Sequence, residues 1–358
     1  MRSEPPVRGL PSARRAVERT AAVPRRAIVL GAGGVLGFAW MVGALSTLEV
    51  EAELDAREVD LLIGTSAGSV AASLLACGVS VSEIRRQHQG VPAPDDPPIG
   101  FTYPARTRAL PPRPRIGLGS PRLLLDAIRH PGRTSPMVTL SGVLPTGRGT
   151  LAPVREMITG LAASAGFAHR WPDRPRPWIV ATDYHAGRRV VFGRDDVGPF
   201  GASDVALPDA VVASCSIPAW YPPLTIGTRP YIDGGTVSSA SVDLLRGELM
   251  DEVYVLAPMA SVEIDRPRSP TSRLERAIRR LVTRGIMADV EVLRSEGVRV
   301  VLVTPGPEDL AVIGSNLMNP RRRGQVLQTA MRSAAGQLRR QLAPQRPAAG
   351  SRSGGSLA

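Results

Sequence analysis

Short apolar runs alternate with longer apolar segments along the first quarter of the chain, and the alternation predicts strands and helices in turn. RAIVLG (26–31) reads as a buried strand, GFAWMVGALSTLEVEAEL as a helix, VDLLIG (59–64) as a second buried strand and AGSVAASLLACG as the helix that follows it. Two strand-turn-helix units in succession predict a parallel sheet with helices on its faces. From 91 to 121 prolines crowd the text, and a loop of that length inside a compact domain is expected to be a lid or disordered. Helices follow at 121–130 and 151–165, and strands at 177–185 and 188–193 with His185, Ala186 and Gly187 as the turn between them. PDAVVASCS predicts a short helix, IPAWYPP a rigid turn, RPYIDGG a strand and loop, and 252–258 and 298–305 two further buried strands. Over 271–296 Leu274, Ile278, Leu281 and Val282 share one helical face, with Arg273, Arg276, Arg279, Arg280 and Arg284 elsewhere. That pattern predicts a surface helix with a solvated charged face; the sharper reading is an interfacial helix touching anionic headgroups. No internal repeat is visible.

Composition adds limits. A chain of 358 residues with 43% hydrophobic content has enough apolar side chains for a sizeable core, and two cysteines exclude a disulfide scaffold. Cys77 and Cys215 each sit in an apolar run, which predicts buried reduced thiols. The net charge of +12 is carried by arginine and is uneven. Residues 1–26 hold seven arginines against two glutamates, and 321–358 hold eight with no acid, which leaves 27–320 at −1. Such tails read as disordered, so no nucleic-acid partner is expected. The uncharged stretch from Ala27 to Leu48 mimics a membrane span, but its five glycines favour a strand, a tight turn and a buried helix. With no apolar stretch in residues 1–25, the expected location is cytoplasmic. The expected organisation is a basic tail (1–25), one domain (26–320) with the lid-like loop 91–121, and a C-terminal helix with a basic tail (321–358).

The sharpest chemical signal is Gly64-Thr65-Ser66-Ala67-Gly68, set between a predicted strand and a predicted helix. A serine on such a turn needs small neighbours and projects its hydroxyl near the positive end of the following helix, as a nucleophile requires. All four histidines, His88, His130, His169 and His185, precede residue 186, so the order Ser, acid, His has no candidate for its last member. Each is read as an ordinary surface or loop residue. The remaining base is a carboxylate: Asp233 in YIDGG ends a short strand with Gly234 and Gly235 behind it, and as a base it must be partly buried beside Ser66. The block from Gly31 to Gly37 follows the first strand and opens the first helix, where converging amides suit an oxyanion. A dinucleotide site is the rival reading of that block, with Glu49, Glu51 and Glu53 near the required distance, although the third glycine comes one place late. No His/Cys/carboxylate cluster has ligand spacing, so no metal is expected.

Together the glycine block 31–37, GTSAG, ATDYHAG with its following strand, ASCSIPAWYPP and YIDGG resemble, in order, the patatin-like phospholipase family. The resemblance implies a three-layer α/β/α fold with a mostly parallel sheet, and a dyad of Ser66 as nucleophile and Asp233 as base. It implies amides around Gly33 and Gly34 as the oxyanion hole, with Gly31, Gly37, Gly64, Gly68, Gly234 and Gly235 supporting the motifs. It also implies calcium-independent release of fatty acid from lipid esters, with no cofactor. A nucleotide-binding protein and a catalytically silent lipid-binding protein are the alternatives. Contact with substrate predicts peripheral membrane binding, through the basic tails and the lid residues Ile99, Phe101 and Tyr103. The sequence sets no oligomeric state.

Overall fold

The computed structural model describes residues 23–99, 117–130, 136–197, 204–263 and 269–343, with single positions 114, 134, 265 and 267. Residues 1–22 of the expected N-terminal tail, 344–358 of the expected C-terminal segment, and 100–113, 115 and 116 of the expected lid loop, Phe101 and Tyr103 among them, lie outside the described residues.

The chain opens as the alternation predicts, with β1 (Arg26–Leu30), α1 (Gly34–Glu51), β2 (Leu61–Thr65) and α2 (Ala67–Ala76), followed by α3 (Val81–Gln89). Three helices, α4 (Pro121–Arg129), α5 (Pro136–Val143) and α6 (Ala152–Ser164), lead to β3 (Arg176–Asp183) and β4 (Arg188–Phe192). Next come α7 (Leu207–Ser214), β5 (Leu224–Ile226), β6 (Arg229–Asp233) and β7 (Glu252–Leu256). The last elements are α8 (Pro270–Ser295), β8 (Arg299–Val303), α9 (Pro307–Ile313) and α10 (Arg323–Leu342).

One sheet runs β5-β6-β3-β2-β1-β7-β8, with β4 paired to β3. The four pairings among β3, β2, β1, β7 and β8 are parallel; β4, β5 and β6 add antiparallel ones. Strand periodicity splits the apolar residues between two cores. Ile28, Leu30, Leu62 and Ile179 face the layer of α1, α2 and α10, whereas Ala27, Val29, Leu61, Ile63 and Trp178 face α8. The result is the α/β/α sandwich of the expected class, and all parallel C-terminal strand ends open on one edge.

The stretch that mimics a membrane span is explained by its place. Helix α1 is long and apolar enough to cross a membrane, yet it is buried continuously from Val35 to Leu48 because the sheet lies beneath it and α10 above it. A helix enclosed on all sides is apolar all round. The core therefore continues past residue 320: Val326, Leu327, Ala330, Ala334 and Leu338 of α10 are all fully buried.

Helix α8 corrects the expected face. Arg276 and Arg279 are buried, whereas Leu274 and Leu281 are 66% exposed. The Arg279 guanidinium donates to the carbonyls of Pro258 (2.5 Å) and Ala260 (3.2 Å) and pairs with Glu275, while Arg276 pairs with Asp265 at 2.6 Å. The loop after β7 presents carbonyl groups to the N-terminal half of α8, so donors turn inward there. The apolar stripe Val282, Ile286, Val290 and Leu293 meets the sheet side only in the second half.

Candidate active site

Strand β2 ends at Thr65 and α2 begins at Ala67, so one residue, Ser66, makes the whole connection. Its φ of 53° and ψ of −120° lie where an L-residue is strained by about 1–3 kcal/mol, and the surroundings over-determine it. The Ser66 N–H donates to Ser214 Oγ (2.9 Å), which donates in turn to the Val180 carbonyl of β3 (2.6 Å). The Ser66 carbonyl accepts from Ser69 Oγ (2.6 Å) and from the Cys215 thiol (3.4 Å). Close approach fixes the flanking residues: a Cβ at Gly68 would fall on the Leu30 carbonyl oxygen of β1, and one at Gly64 would lie 2.6 Å from the Gly68 oxygen.

Register delivers Asp233 to this serine. Strand β4 occupies one edge of β3 over Ile179–Asp183, so β2 and β6 share the other. On that edge β2 ends with Thr65 opposite Val180, and β6, running the other way, ends with Asp233 opposite Ala181, the next position along. The two strands thus meet end to end, and their ends bring the Ser66 side chain to the Asp233 carboxylate. Asp233 is 5% exposed. Burial pushes its carboxyl up to about 6, against the opposing influence of the nearby Ser66 hydroxyl and of the Gly235 N–H at 2.7 Å on Oδ1. Gly234 lies against the Val180 carbonyl and Gly235 against Ala32, which joins the YIDGG turn to the first glycine block.

In that block most amides already have acceptors. Gly31 N–H donates to Leu256 O (2.9 Å), Ala32 to Ser239 O (2.6 Å), Leu36 to Leu317 O (2.9 Å) and Gly37 to Gly33 O (2.9 Å). Among the described residues no acceptor takes the N–H of Gly33 or Gly34, at the N-terminus of α1. Gly34 has φ of +59°, and the Pro258 ring closes over Gly33 and Gly37. Because β1 and β2 are parallel with Leu30 opposite Gly64, these amides leave the sheet beside Ser66. A helix N-terminus with unclaimed amides next to a hydroxyl and a buried carboxylate has the parts that acyl transfer needs.

The rival acids lie elsewhere. Glu49 and Glu51 belong to the C-terminal end of α1, a helix about 27 Å long by its rise per residue, where Glu49 accepts from the Ala56 N–H and Glu51 pairs with Arg339. Acids at the opposite end of the helix do not reach a ligand held at the glycine block. No histidine is bonded to Ser66 or Asp233 among the described residues. His88 corrects the expectation of a surface residue: it is buried against the Phe38 ring, and desolvation, helped by the Arg323 charge, lowers it to about 4. Cys77 and Cys215 are free and buried, and burial pushes both thiols up to about 12. Among the described residues no group of three His, Cys, Asp or Glu side chains is placed to hold a metal.

The sequence reading did not single out Ser214, Cys215 and Ser216 for a role. They end α7 and hold both halves of the site: Ser214 the Ser66 amide, Cys215 the Ser66 carbonyl, and the Ser216 carbonyl the Asp233 N–H at 3.0 Å. The run of small polar residues in ASCS was the available signal.

A family model for patatin-like phospholipases matches residues 28–246. No curated protein matches the sequence. Among solved structures, VipD from Legionella pneumophila aligns at 13% identity and a TM-score of 0.39, over 89% of this chain and 68% of that one. The type III effector ExoU aligns at 16% identity and a TM-score of 0.40, over 90% of this chain, which spans 54% of ExoU.

Proposed function

The chain belongs to the patatin-like phospholipase family, and on that premise we propose that it is a lipid acyl hydrolase with Ser66 as nucleophile and Asp233 as base. The supporting observation is the end-to-end meeting of β2 and β6, which sets a serine hydroxyl against a buried carboxyl raised to about 6. A carboxylate at its ordinary value is a poor base for a hydroxyl; raising it brings it closer to the working pH while leaving it mostly ionised at pH 7.

Ser66 Oγ attacks the ester carbonyl as its proton passes to Asp233, and the carbonyl oxygen takes up negative charge facing the Gly33 and Gly34 amides. Collapse of the tetrahedral species breaks the ester C–O bond, and Asp233 returns the proton to the departing alcohol. Water then attacks the acyl-Ser66 ester, gives a proton to Asp233, and the free acid leaves as Ser66 regains its hydrogen. Removing an oxyanion donor of this kind costs about 3–4 kcal/mol in the transition state.

Phospholipid, lysophospholipid, triacylglycerol and short esters all present the same carbonyl, so the substrate is assigned by class: a carboxylic ester of a lipid. Fatty-acid release from a panel of these esters by the parent chain and by Ser66→Ala tests the reading. Release by the parent and none by Ser66→Ala is expected. Bound lipid without release by the parent identifies a silent lipid-binding protein instead.

A further inference from the structure

Half of the exposed large hydrophobic side chains among the described residues, seven of fourteen, fall between 118 and 144. Helices α4 and α5 form an antiparallel hairpin there, tied by Ser120 N–H to Gly142 O (3.1 Å), with Gly142 against Leu123 and Leu124. The inner face of the hairpin is ordinary. Leu123 and Val138 pack on Tyr184 and Ile232, and the Tyr184 hydroxyl donates to Ser141 O (2.7 Å). Ile232 immediately precedes Asp233, so the hairpin is mounted on the strand that carries the carboxylate, at the edge where Ser66 opens.

The outer face inverts the usual pattern. Leu125 and Ile128 on α4 are 47% and 78% exposed, and Met137, Leu140 and Val143 on α5 are 48–55% exposed. A solvated helix face carries polar side chains, and an apolar patch of this density marks a docking surface. Arg122 and Arg129 flank Leu125 and Ile128 on α4, and Arg188 at the start of β4 enters the same hollow, whose one carboxylate, Asp126, lies 3.1 Å from His130 Nδ1. All three are exposed, and none joins an ion pair among the described residues, although arginines elsewhere in the chain pair freely. Ile99, which the sequence assigned to lipid insertion, is 4% exposed in the main core and takes no part.

We propose that the α4–α5 hairpin docks on an anionic lipid surface. Leu125, Ile128, Met137, Leu140 and Val143 enter the headgroup boundary, and Arg122, Arg129 and Arg188 meet the negative headgroups. Three arginines against the single carboxylate of Asp126 leave the hollow net positive; a neutral protein groove would match the apolar stripe but not that charge, whereas an anionic bilayer matches both. That docking serves to present ester to Ser66 rests on the acyl-hydrolase reading, but docking itself is measured without turnover.

The test is sedimentation of the full-length Ser66→Ala chain with phosphatidylcholine vesicles that contain or lack phosphatidylglycerol, at low and high salt. The expected result is partition onto the anionic vesicles at low salt that falls at least about tenfold in both Leu125→Glu/Ile128→Glu and Met137→Glu/Leu140→Glu. Arg122→Gln/Arg129→Gln is expected to remove most of the salt dependence. Each substituted side chain is exposed, so unchanged thermal unfolding checks that the variants fold. Leu274→Glu/Leu281→Glu, an equally exposed pair on α8, is the contrast and is expected to change partition less than about twofold. Equal partition of the hairpin variants and their parent overturns the proposal. So does a larger loss in the α8 pair, or a parent dimer that the hairpin variants dissociate. A parent chain that docks but releases no fatty acid defeats the hydrolase reading and leaves docking standing.

Discussion

At Ser66 the backbone stands where glycine rests without strain, and under the proposed mechanism its hydroxyl is what the strain serves. Ser66→Gly and Ser66→Ala are therefore both expected to be inactive but unequal in stability. Glycine should be the more stable by about 1–2 kcal/mol in urea unfolding, because it accepts positive φ and alanine does not. Asp233 carries a related conflict. Its folded value of about 6 exceeds the ordinary 3.8, so the folded state holds its proton more tightly than the unfolded chain does. Stability from this group is complete below about 3.8, falls as the pH rises through 6, and stays at its lowest above that. Asp233→Asn keeps an acceptor oxygen for Ser66 and escapes the penalty, so it is expected to abolish turnover while stabilising the fold by up to about 3 kcal/mol at pH 8. The gain should vanish near pH 4, as thermal unfolding of both chains across that range would show. Both residues were legible in the sequence, Ser66 from GTSAG and Asp233 from YIDGG. What the text did not contain was the register that brings them together, because β6 reaches the end of β2 only through their shared neighbour β3.

Helix α7 is the element whose importance the sequence understated. Nine residues of text predict a helix there, but a hydrogen bond between Ser214 and a residue 148 positions away leaves no local trace. Ser214→Ala leaves the Ser66 N–H buried without a partner, and a loss of about 1–3 kcal/mol of stability with reduced kcat is expected, read by denaturant titration and by ester turnover in the same preparation. Helix α8 was misjudged for a related reason. Periodicity assigned its leucines to the core, but the Pro258 and Ala260 carbonyls claimed Arg279, and Asp265 claimed Arg276, instead. The parallel strands were read because burial on both faces makes each a continuous apolar run, a property it carries in itself, whereas the three residues of β5 gave no such run and were not read as a strand.

For the whole molecule, the position of α10 decides where the domain ends. A chain stopped after residue 320 loses five fully buried side chains from above α1, a loss of the same order as the total stability of a domain. Such a chain is expected to be insoluble, as sedimentation of the expressed protein would show. Composition placed the positive charge at the ends of the chain but gave no sign that 323–342 completes the α1 layer, because its arginines mask an apolar stripe of small residues. The fold as a whole sets the ends of β1, β2 and β6 on one edge, and we propose that Asp233 there activates Ser66 without histidine. Fluorophosphonate labelling, located by peptide mass and timed from pH 4 to 9, tests it most directly. The account predicts modification of Ser66 at a rate that climbs about tenfold per pH unit and levels near pH 6, with that limb lost in Asp233→Asn and kept in His185→Gln. Labelling of another residue, or a limb that survives Asp233→Asn and disappears in His185→Gln, would contradict it.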